Sequence, residues 1–533
     1  MQHPLATSLL VALGLAAGAC GATRRPQETP EPFVAGAPTL PGPGTAVPTP
    51  IPPPTFPRTP VWDEDAFSLG RTATFGSFPA DLVRFGSTLF TVDADAIEGA
   101  GALIVPIDVS GTVPTASSRY RPTRLLAGSL VDSAGAAGDA AAPIGFGFFV
   151  NDLEIASDTV GFALVSAGGS DSVPTLSNLV VFDPTAGTVL QVFDLAQEVP
   201  TLGLPDSEGA APAGPTFRQS QAEGLCFVPL DGHRGRLFVA MANIVIGGPS
   251  YGATKLPGTV QVYDVDLVSS APVAYDPVPP YATRTLYTTG YNPVAVTRVA
   301  AAGGAERVLV TVAGTSHYGA GGALVPAGPS CVETFDARSL APLGRFDLGW
   351  CALAGARPAL GTDAAGHRVA FFASSVLGTV YLLWLDGLFD AVVAADRVAV
   401  VRGEANPIPI DPSSSGQPNG NVAGLALSSD GRTLVASGFG DYFAPAGPQP
   451  GKVYAYALPS DLVADPAFAL TFVPGTATAL TTAGRTLGPL VVGASHPDGP
   501  EVFVLVAGPL STSTYLGTGP ASLGTLSTFG RIR

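Results

Sequence analysis

The stretch NGNVAGLALSSDGRTLVASG, residues 419–438, places two short apolar runs, VAGLAL and TLVASG, on either side of Ser428-Ser429-Asp430-Gly431. Ser, Asp and Gly between two such runs read as a tight turn joining antiparallel strands. Ser and Asp bond the turn backbone, and Gly tolerates positive φ. A turn followed by a strand of alternating bulky residues recurs along the chain. It is found as GSTLFTVD (86–93), DTVGFALVS (158–166), RGRLFVAM (234–241), ERVLVTVAG (306–314), HRVAFFASS (367–375), GRTLVASGF (431–439) and PEVFVLVAG (500–508).

Working outward from these markers, a second strand follows several of them and runs into an Asp-containing turn. Examples are NLVVFDPTAG (178–187), TVQVYDVDL (259–267), CVETFDARS (331–339) and TVYLLWLDG (379–387). A third strand closes some units, as in TVLQVFDL (188–195), PLGRFDLG (342–349) and ALTFVPG (469–475). Ahead of each marker lies another short run. These runs begin at Asp81, Asn151, Glu223, Asn292, Arg357, Asn421 and Pro489, at spacings of 70, 72, 69, 65, 64 and 68 residues.

Seven such units fill the chain from Trp62 to Arg533. The pattern predicts an all-β fold, a seven-bladed β-propeller of four-stranded antiparallel blades over residues 62–533. A small sheet with two apolar faces cannot bury both alone, and its edges invite pairing with other chains; radial packing solves the first problem and ring closure the second. SLGRTATFG (68–76) would supply the outer strand of the last blade, beside SLGTLSTFG (522–530). Two stacked β-sandwich domains are the alternative.

NPVAVTRVAAAGGAERVLVTVAG (292–314) and the 419–438 segment resemble the YVTN/lactonase-like propeller repeat, which runs Asn-Pro, a hydrophobic strand, a Ser-Pro-Asp-Gly-type turn and a second strand; Ser428-Ser429-Asp430-Gly431 is that turn with Ser for Pro. FDPTAGTVLQVFDL (182–195) is similar to that family's strand, Asp-Thr-Gly turn and strand. The resemblance is a scaffold signature shared by proteins with different activities. A kelch assignment lacks the required Tyr and Trp positions. A WD40 assignment finds its Trp-Asp pair only at Trp62-Asp63, outside the expected blades.

Composition agrees with a β fold. The 65 Gly and 52 Pro are incompatible with a mainly helical chain, and 46% hydrophobic residues suffice for a large core. Charged residues are only 13%, and a net charge of −16 argues against a nucleic-acid partner, which would require a basic footprint.

Before the repeats, Leu5–Ala19 is a single apolar run ending at Ala17-Gly18-Ala19-Cys20, which resembles a bacterial lipobox. It predicts a signal peptide over 1–19 and lipid attachment at Cys20. Secretion after a simple cut behind Ala19, and an uncleaved start, are the alternatives. Residues 20–61 form a Pro-rich tether of polyproline II character. With Gly21 after Cys20, no Asp-type inner-membrane retention signal is present. The expected location is therefore the outer membrane or cell surface, with the periplasm as the alternative.

Catalytic signatures are sparse. His233, His317, His367 and His496 form no HExxH and no Cys/His zinc spacing. Gly314-Thr315-Ser316-His317-Tyr318-Gly319 does not fit a nucleophile elbow, and Asp93-Ala94-Asp95 loses calcium-loop spacing at Ile97. Cys331 and Cys351 flank a hairpin and form a candidate disulfide, whereas Cys226 lies in an apolar run as a buried thiol.

Where a propeller places the start of each first strand, at the rim of the channel, stand Asp81, Asn151, Asp152, Glu223, Asn292, Arg357 and Asn421. Their oxygens could hold Ca²⁺, as the resemblance to calcium-dependent propeller lactonases implies, or they could simply begin strands, where Asn and Asp make turns. The leading expectation is a monomeric, envelope-tethered binding or scaffold protein without a cofactor. It would act on an unknown protein, small-molecule or glycan ligand through long loops such as 199–222, 246–258, 315–330 and 440–451. The alternative is a Ca²⁺-dependent hydrolase or lactonase working at the channel mouth.

Overall fold

A computed structural model describes residues 62–68, 78–94, 101–131 (except 112), 148–167, 176–243 (except 207, 208, 213 and 220), 258–274, 285–300, 304–318, 324–349 (except 327), 357–374, 379–386, 408–409, 422–438, 452–463, 471–472, 480–481, 485–486, 491–496, 499–507 and 528–532. Among these residues helix is nearly absent, a 3₁₀ turn at Ala127–Ser129 being an exception. The expected signal peptide, tether, lipid site at Cys20 and the rim residue Asn421 lie outside the described residues.

The fold is a β-propeller. Six antiparallel blades are built from consecutive strands. Blade 1 runs Phe78–Phe85, Thr88–Ala94, Gly101–Asp108 and Thr115–Ala116, with Thr123–Leu126 also on its third strand. Blade 2 runs Phe148–Ile155, Gly161–Ala167, Leu176–Asp183 and Thr188–Asp194. Blade 3 has Ala222–Asp231, Arg234–Met241, Thr259–Asp266 and Thr285–Tyr287. Blade 4 has Pro293–Ala300, Glu306–Val312, Ser330–Asp336 and Pro342–Gly349. In blade 5 the strands are Ala359–Thr362, Arg368–Ala373, Thr379–Trp384 and Ile408–Pro409. Blade 6 comprises Val422–Leu427, Thr433–Gly438, Lys452–Ala457 and Thr471–Phe472, with Leu480–Thr481 added.

The sequence period predicts seven units, and the residues of the seventh lie in a sheet that joins both ends of the chain. Trp62–Ser68 pairs with Thr528–Ile532, which pairs with Gly499–Ala507, which in turn pairs with Val491–His496 and Arg485–Thr486. The N-terminal strand therefore sits at 62–68, earlier than the 68–76 expected from sequence, with Trp62 opposite Ile532 and Phe67 opposite Phe529. This sheet touches the first strands of both blade 6 and blade 1.

Strand alternation explains the packing. In the second strand of blade 5, Val369, Phe371 and Ala373 join a cluster with Leu425, Leu434 and Tyr456 of blade 6, while Ala370 and Phe372 join Leu309 and Val332 of blade 4. Blade 2 divides the same way: Ala163 and Val165 face blade 1, and Phe162 and Leu164 face blade 3. Successive side chains leave a strand on opposite faces, so a blade with neighbours on both sides needs apolar residues at every position of its middle strands. TVYLLW (379–384) is accordingly buried throughout, whereas the outer strand Pro342–Gly349 is largely exposed.

The deciding turn of blade 6 forms as read. Ser428 Oγ accepts from Thr433 N at 2.9 Å and bonds Asp430 Oδ1 at 2.6 Å, and Gly431 takes φ +68°. This turn packs on blade 5: a Cβ on Gly431 would stand 2.1 Å from Thr362 O.

One expectation is corrected. Cys331 is a free, fully buried thiol, not half of a disulfide, and its proposed partner Cys351 lies outside the described residues. Its Sγ points along its own strand toward Glu333 Oε1, 3.6 Å away, while its cross-strand partners are Val312 and Asp347. Cys226 is also free and buried, as its apolar run suggests.

Candidate functional site

First strands of adjacent blades lie side by side around the axis, as contacts between blades 1 and 2, 2 and 3, 3 and 4, and 5 and 6 establish. Five of the six carry a register shift near their start: between Pro79 and Leu82, Val150 and Asp152, Ala222 and Gly224, Pro293 and Ala295, and Val422 and Gly424. A bulge re-aims the side chain at its extra residue. It is at these bulges that Asp81, Asn151 and Glu223 stand. In blade 3 the next residue is Gly224, where a Cβ would come within 2.8 Å of Ala295 Cα, so glycine permits the close approach of blade 4.

Asp81 and Asp152 repeat one device. Asp81 Oδ1 accepts from Leu82 N at 2.7 Å, and its Oδ2 accepts from Leu153 N of blade 2 at 2.6 Å. Asp152 Oδ1 accepts from Leu153 N at 2.9 Å, and its Oδ2 accepts from Leu225 N of blade 3 at 2.7 Å. Each carboxylate thus ties its own blade to the next. Asn151 adds a third tie through its amide nitrogen, which donates to Ser166 Oγ at 2.8 Å and to Ala222 O of blade 3 at 2.5 Å.

Arg357, just ahead of the first strand of blade 5, reaches blade 2. Its Nη2 donates to Asp152 Oδ1 at 2.7 Å and to Leu153 O at 2.6 Å, and its Nη1 lies 3.2 Å from Glu154 Oε2. Blades 2 and 5 are not neighbours in the ring, so this clasp spans the interior. Asp152 and Glu154 can share it because residues two apart project from the same strand face.

The electrostatics follow from burial. Burial and the nearby Asp152 charge push the Asp81 carboxyl well above its usual range, against the pull of Arg357. Burial lifts Glu154 to about 7, with Arg357 opposing and Asp152 assisting. The Arg357 guanidinium is disfavoured by burial, but Asp152, Glu154 and Asp81 more than offset this and raise its pKa. Glu223 is lifted to about 8 by burial, against the hydrogen bond that Gln221 Nε2 donates to its Oε1 at 2.7 Å. At neutral pH Glu223 is therefore mainly a neutral acid, able to give a proton or a hydrogen bond. Asn292 begins blade 4 in the left-handed region at φ +62°, buried, with its Oδ1 lacking a partner.

Of the residues singled out from sequence, the structure brings Asp81, Asp152 and Arg357 into one network, sets Asn151 on the seam between blades 2 and 3, and places Glu223 and Asn292 one and two blades further on. Glu154 and Gln221 escaped notice. The 71-residue step from Asp81 to Asp152 and again to Glu223 marks the ring, and Glu154 stands two places beyond one of its members. The Ser316-His317-Tyr318 segment, read as a loop, forms a two-stranded ribbon with Leu324–Pro326. A second ribbon pairs Glu198–Pro200 with Thr216–Arg218. Tyr291 of blade 4 donates to the carbonyls of Pro205 and Asp206 at the turn of that second ribbon, at 3.3 and 3.1 Å.

No protein-family model matches the chain, and no curated protein matches it. Among solved structures, Kuenenia stuttgartiensis hydrazine synthase is similar at 12% identity, covering 82% of this chain and 94% of that one, with a TM-score of 0.40. A europium-containing methanol dehydrogenase is similar at 10% identity, covering 87% and 92%, with a TM-score of 0.39. A prolyl endopeptidase structure is similar at 12% identity, covering 80% of this chain and 45% of that one, with a TM-score of 0.34.

Proposed function

We propose that this chain is an exported propeller, lipid-anchored at Cys20 and held off the membrane by its Pro-rich segment, that serves as a binding scaffold at the cell envelope. The end-to-end sheet completes the ring as a seventh blade. Its contacts with the first strands of blades 6 and 1 support that count, as does the period of the repeats. The repeat itself is assigned to the YVTN/lactonase-like kind on the turn at 428–431.

One observation carries the preference for binding over catalysis: Asp152 spends its oxygens on two backbone amides and the Arg357 guanidinium. A Ca²⁺ ion needs six to eight oxygen ligands converging at about 2.3–2.6 Å. Here a cation, Arg357, already occupies Asp152 and Glu154, and Asn151 turns its nitrogen to the seam. Recognition then falls to the loops and ribbons on the blades, the usual place for it on a rigid scaffold.

Four measurements test this. Cys20→Ser should move the protein from the membrane to the soluble fraction, and unchanged fractionation refutes the anchor. Added Ca²⁺ should leave the melting temperature unchanged. Lactone hydrolysis that requires Ca²⁺ and disappears in Glu223→Gln would replace the scaffold reading with the hydrolase one. Finally, capture from envelope extract by residues 62–533 should recover a ligand that is lost when the 198–218 ribbon is replaced by a short Gly-Ser link.

A further inference from the structure

At the other end of the first strand of blade 5, opposite Arg357, the turn into the second strand holds Asp363 and His367. Beside them lies Asp461, from the loop that follows the third strand of blade 6. The carboxylate and imidazole donor atoms of these three residues all lie within 4.8 Å of one another. We propose that they form a site for a divalent transition metal of the zinc type, clipping blade 5 to blade 6.

The spacing of the donors carries the proposal. His367 Nδ1 stands 3.2 Å from Asp363 Oδ2 and 3.3 Å from Asp461 Oδ1. A charge-assisted hydrogen bond closes to about 2.7–2.9 Å. The molecule contains such a pair for comparison: His233 Nδ1 and Asp266 Oδ1, on an exposed hairpin, approach to 2.6 Å. His367 Nδ1 hydrogen-bonds Asp363 Oδ2 at the longer distance of 3.2 Å and stands nearly equally far from Asp461 Oδ1. Tetrahedral bonds of about 2.0–2.1 Å put neighbouring ligand atoms about 3.3–3.4 Å apart, which is the spacing found around Nδ1.

The donors are also held before any ion arrives. Asp363 Oδ1 accepts from Ala365 N at 3.0 Å and from His367 N at 2.8 Å, and its Oδ2 accepts from Leu462 N at 3.0 Å. Asp461 Oδ1 accepts from Val463 N at 3.1 Å, and the His367 ring meets Trp384 edge-on at 6.3 Å. Asp363 is buried while His367 and Asp461 remain partly exposed, so the fourth coordination position faces solvent and an ion can enter. One imidazole with two carboxylates suits Zn²⁺, Co²⁺ or Mn²⁺. It does not suit Ca²⁺ or Mg²⁺, which take oxygen ligands almost exclusively.

The test uses the full chain stripped with EDTA and titrated with ZnCl₂ by calorimetry and thermal melting. One equivalent of Zn²⁺ should bind and raise Tm by a few degrees, because a ligand held only by the folded state stabilises it by mass action. Asp461→Asn keeps the bond to Val463 N through its amide oxygen but removes the charge, and should weaken Zn²⁺ at least tenfold; His367→Gln should do the same. Co²⁺ on the unaltered chain should give the visible absorption of a tetrahedral complex, a readout independent of whether either variant folds. Absence of Zn²⁺ heat and of any Tm shift overturns the site, as does an affinity in both variants unchanged from that of the unaltered chain. Ca²⁺ binding as tight as Zn²⁺ overturns the assigned class.

Discussion

Arg357→Met is the most direct perturbation of the interior network. The substitution preserves most of the apolar stem and removes the guanidinium, leaving Asp152 and Glu154 facing each other without a countercharge. Breaking a buried pair by deleting one partner costs about 3–5 kcal/mol. Arg357 keeps 26% of its side chain exposed, so solvent offsets part of that cost and the low end, about 3 kcal/mol at pH 7.5, is expected. The loss should shrink at pH 5. Glu154 is then protonated in the folded state, and less negative charge is stranded. Urea denaturation followed by tryptophan fluorescence at both pH values reads the difference. Adding Glu154→Gln to Arg357→Met should recover part of the loss, the coupling expected of contacting residues. A loss below about 1 kcal/mol at pH 7.5, the level of an exposed ion pair, would refute the reasoning by placing the clasp in bulk-like solvent.

Three further outcomes follow from the geometry. The folded-state pKa of Glu223, about 8, lies above its ordinary value, so the stability it contributes is complete at low pH and drains away as pH rises toward and through 8. Glu223→Gln should therefore melt higher than the unaltered chain at pH 9, by on the order of 2 kcal/mol, and nearly equally at pH 4.5; parallel curves would contradict the assignment. Gly431→Ala must accommodate φ +68° and a Cβ 2.1 Å from Thr362 O, so a loss of roughly 2 kcal/mol or more is expected, and a neutral substitution would show that the seam between blades 5 and 6 is loose. Burial raises the thiol pKa of both Cys226 and Cys331, so neither should alkylate until denaturant is added, and recovery of a peptide linking Cys331 to Cys351 would refute the free thiol.

What the sequence by itself determined was everything with a short range. The turn at 428–431, the marker strands and the all-apolar middle strands follow from propensity, alternation and local hydrogen bonding, and their repetition implies a ring. It also pointed to the rim, because polar residues stand where most of the first strands begin, and Asp81, Asp152 and Glu223 recur at equal steps. Tertiary structure alone decided the chemistry. Arg357 meets Asp152 across 205 positions of chain only once the blades are arranged around an axis, turning a row of potential metal ligands into a neutralised clasp. Cys331 and the 62–68 strand show the same limit. Which hairpin neighbour a thiol faces, and which of two similar segments pairs with the C-terminal strand, depend on register, and one residue of slip reverses every side chain. His367 and Asp461 carry no local signature, since they belong to different blades. They converge because radial packing sets the turn of one blade against the outer loop of the next, a distance that no periodicity in the sequence records.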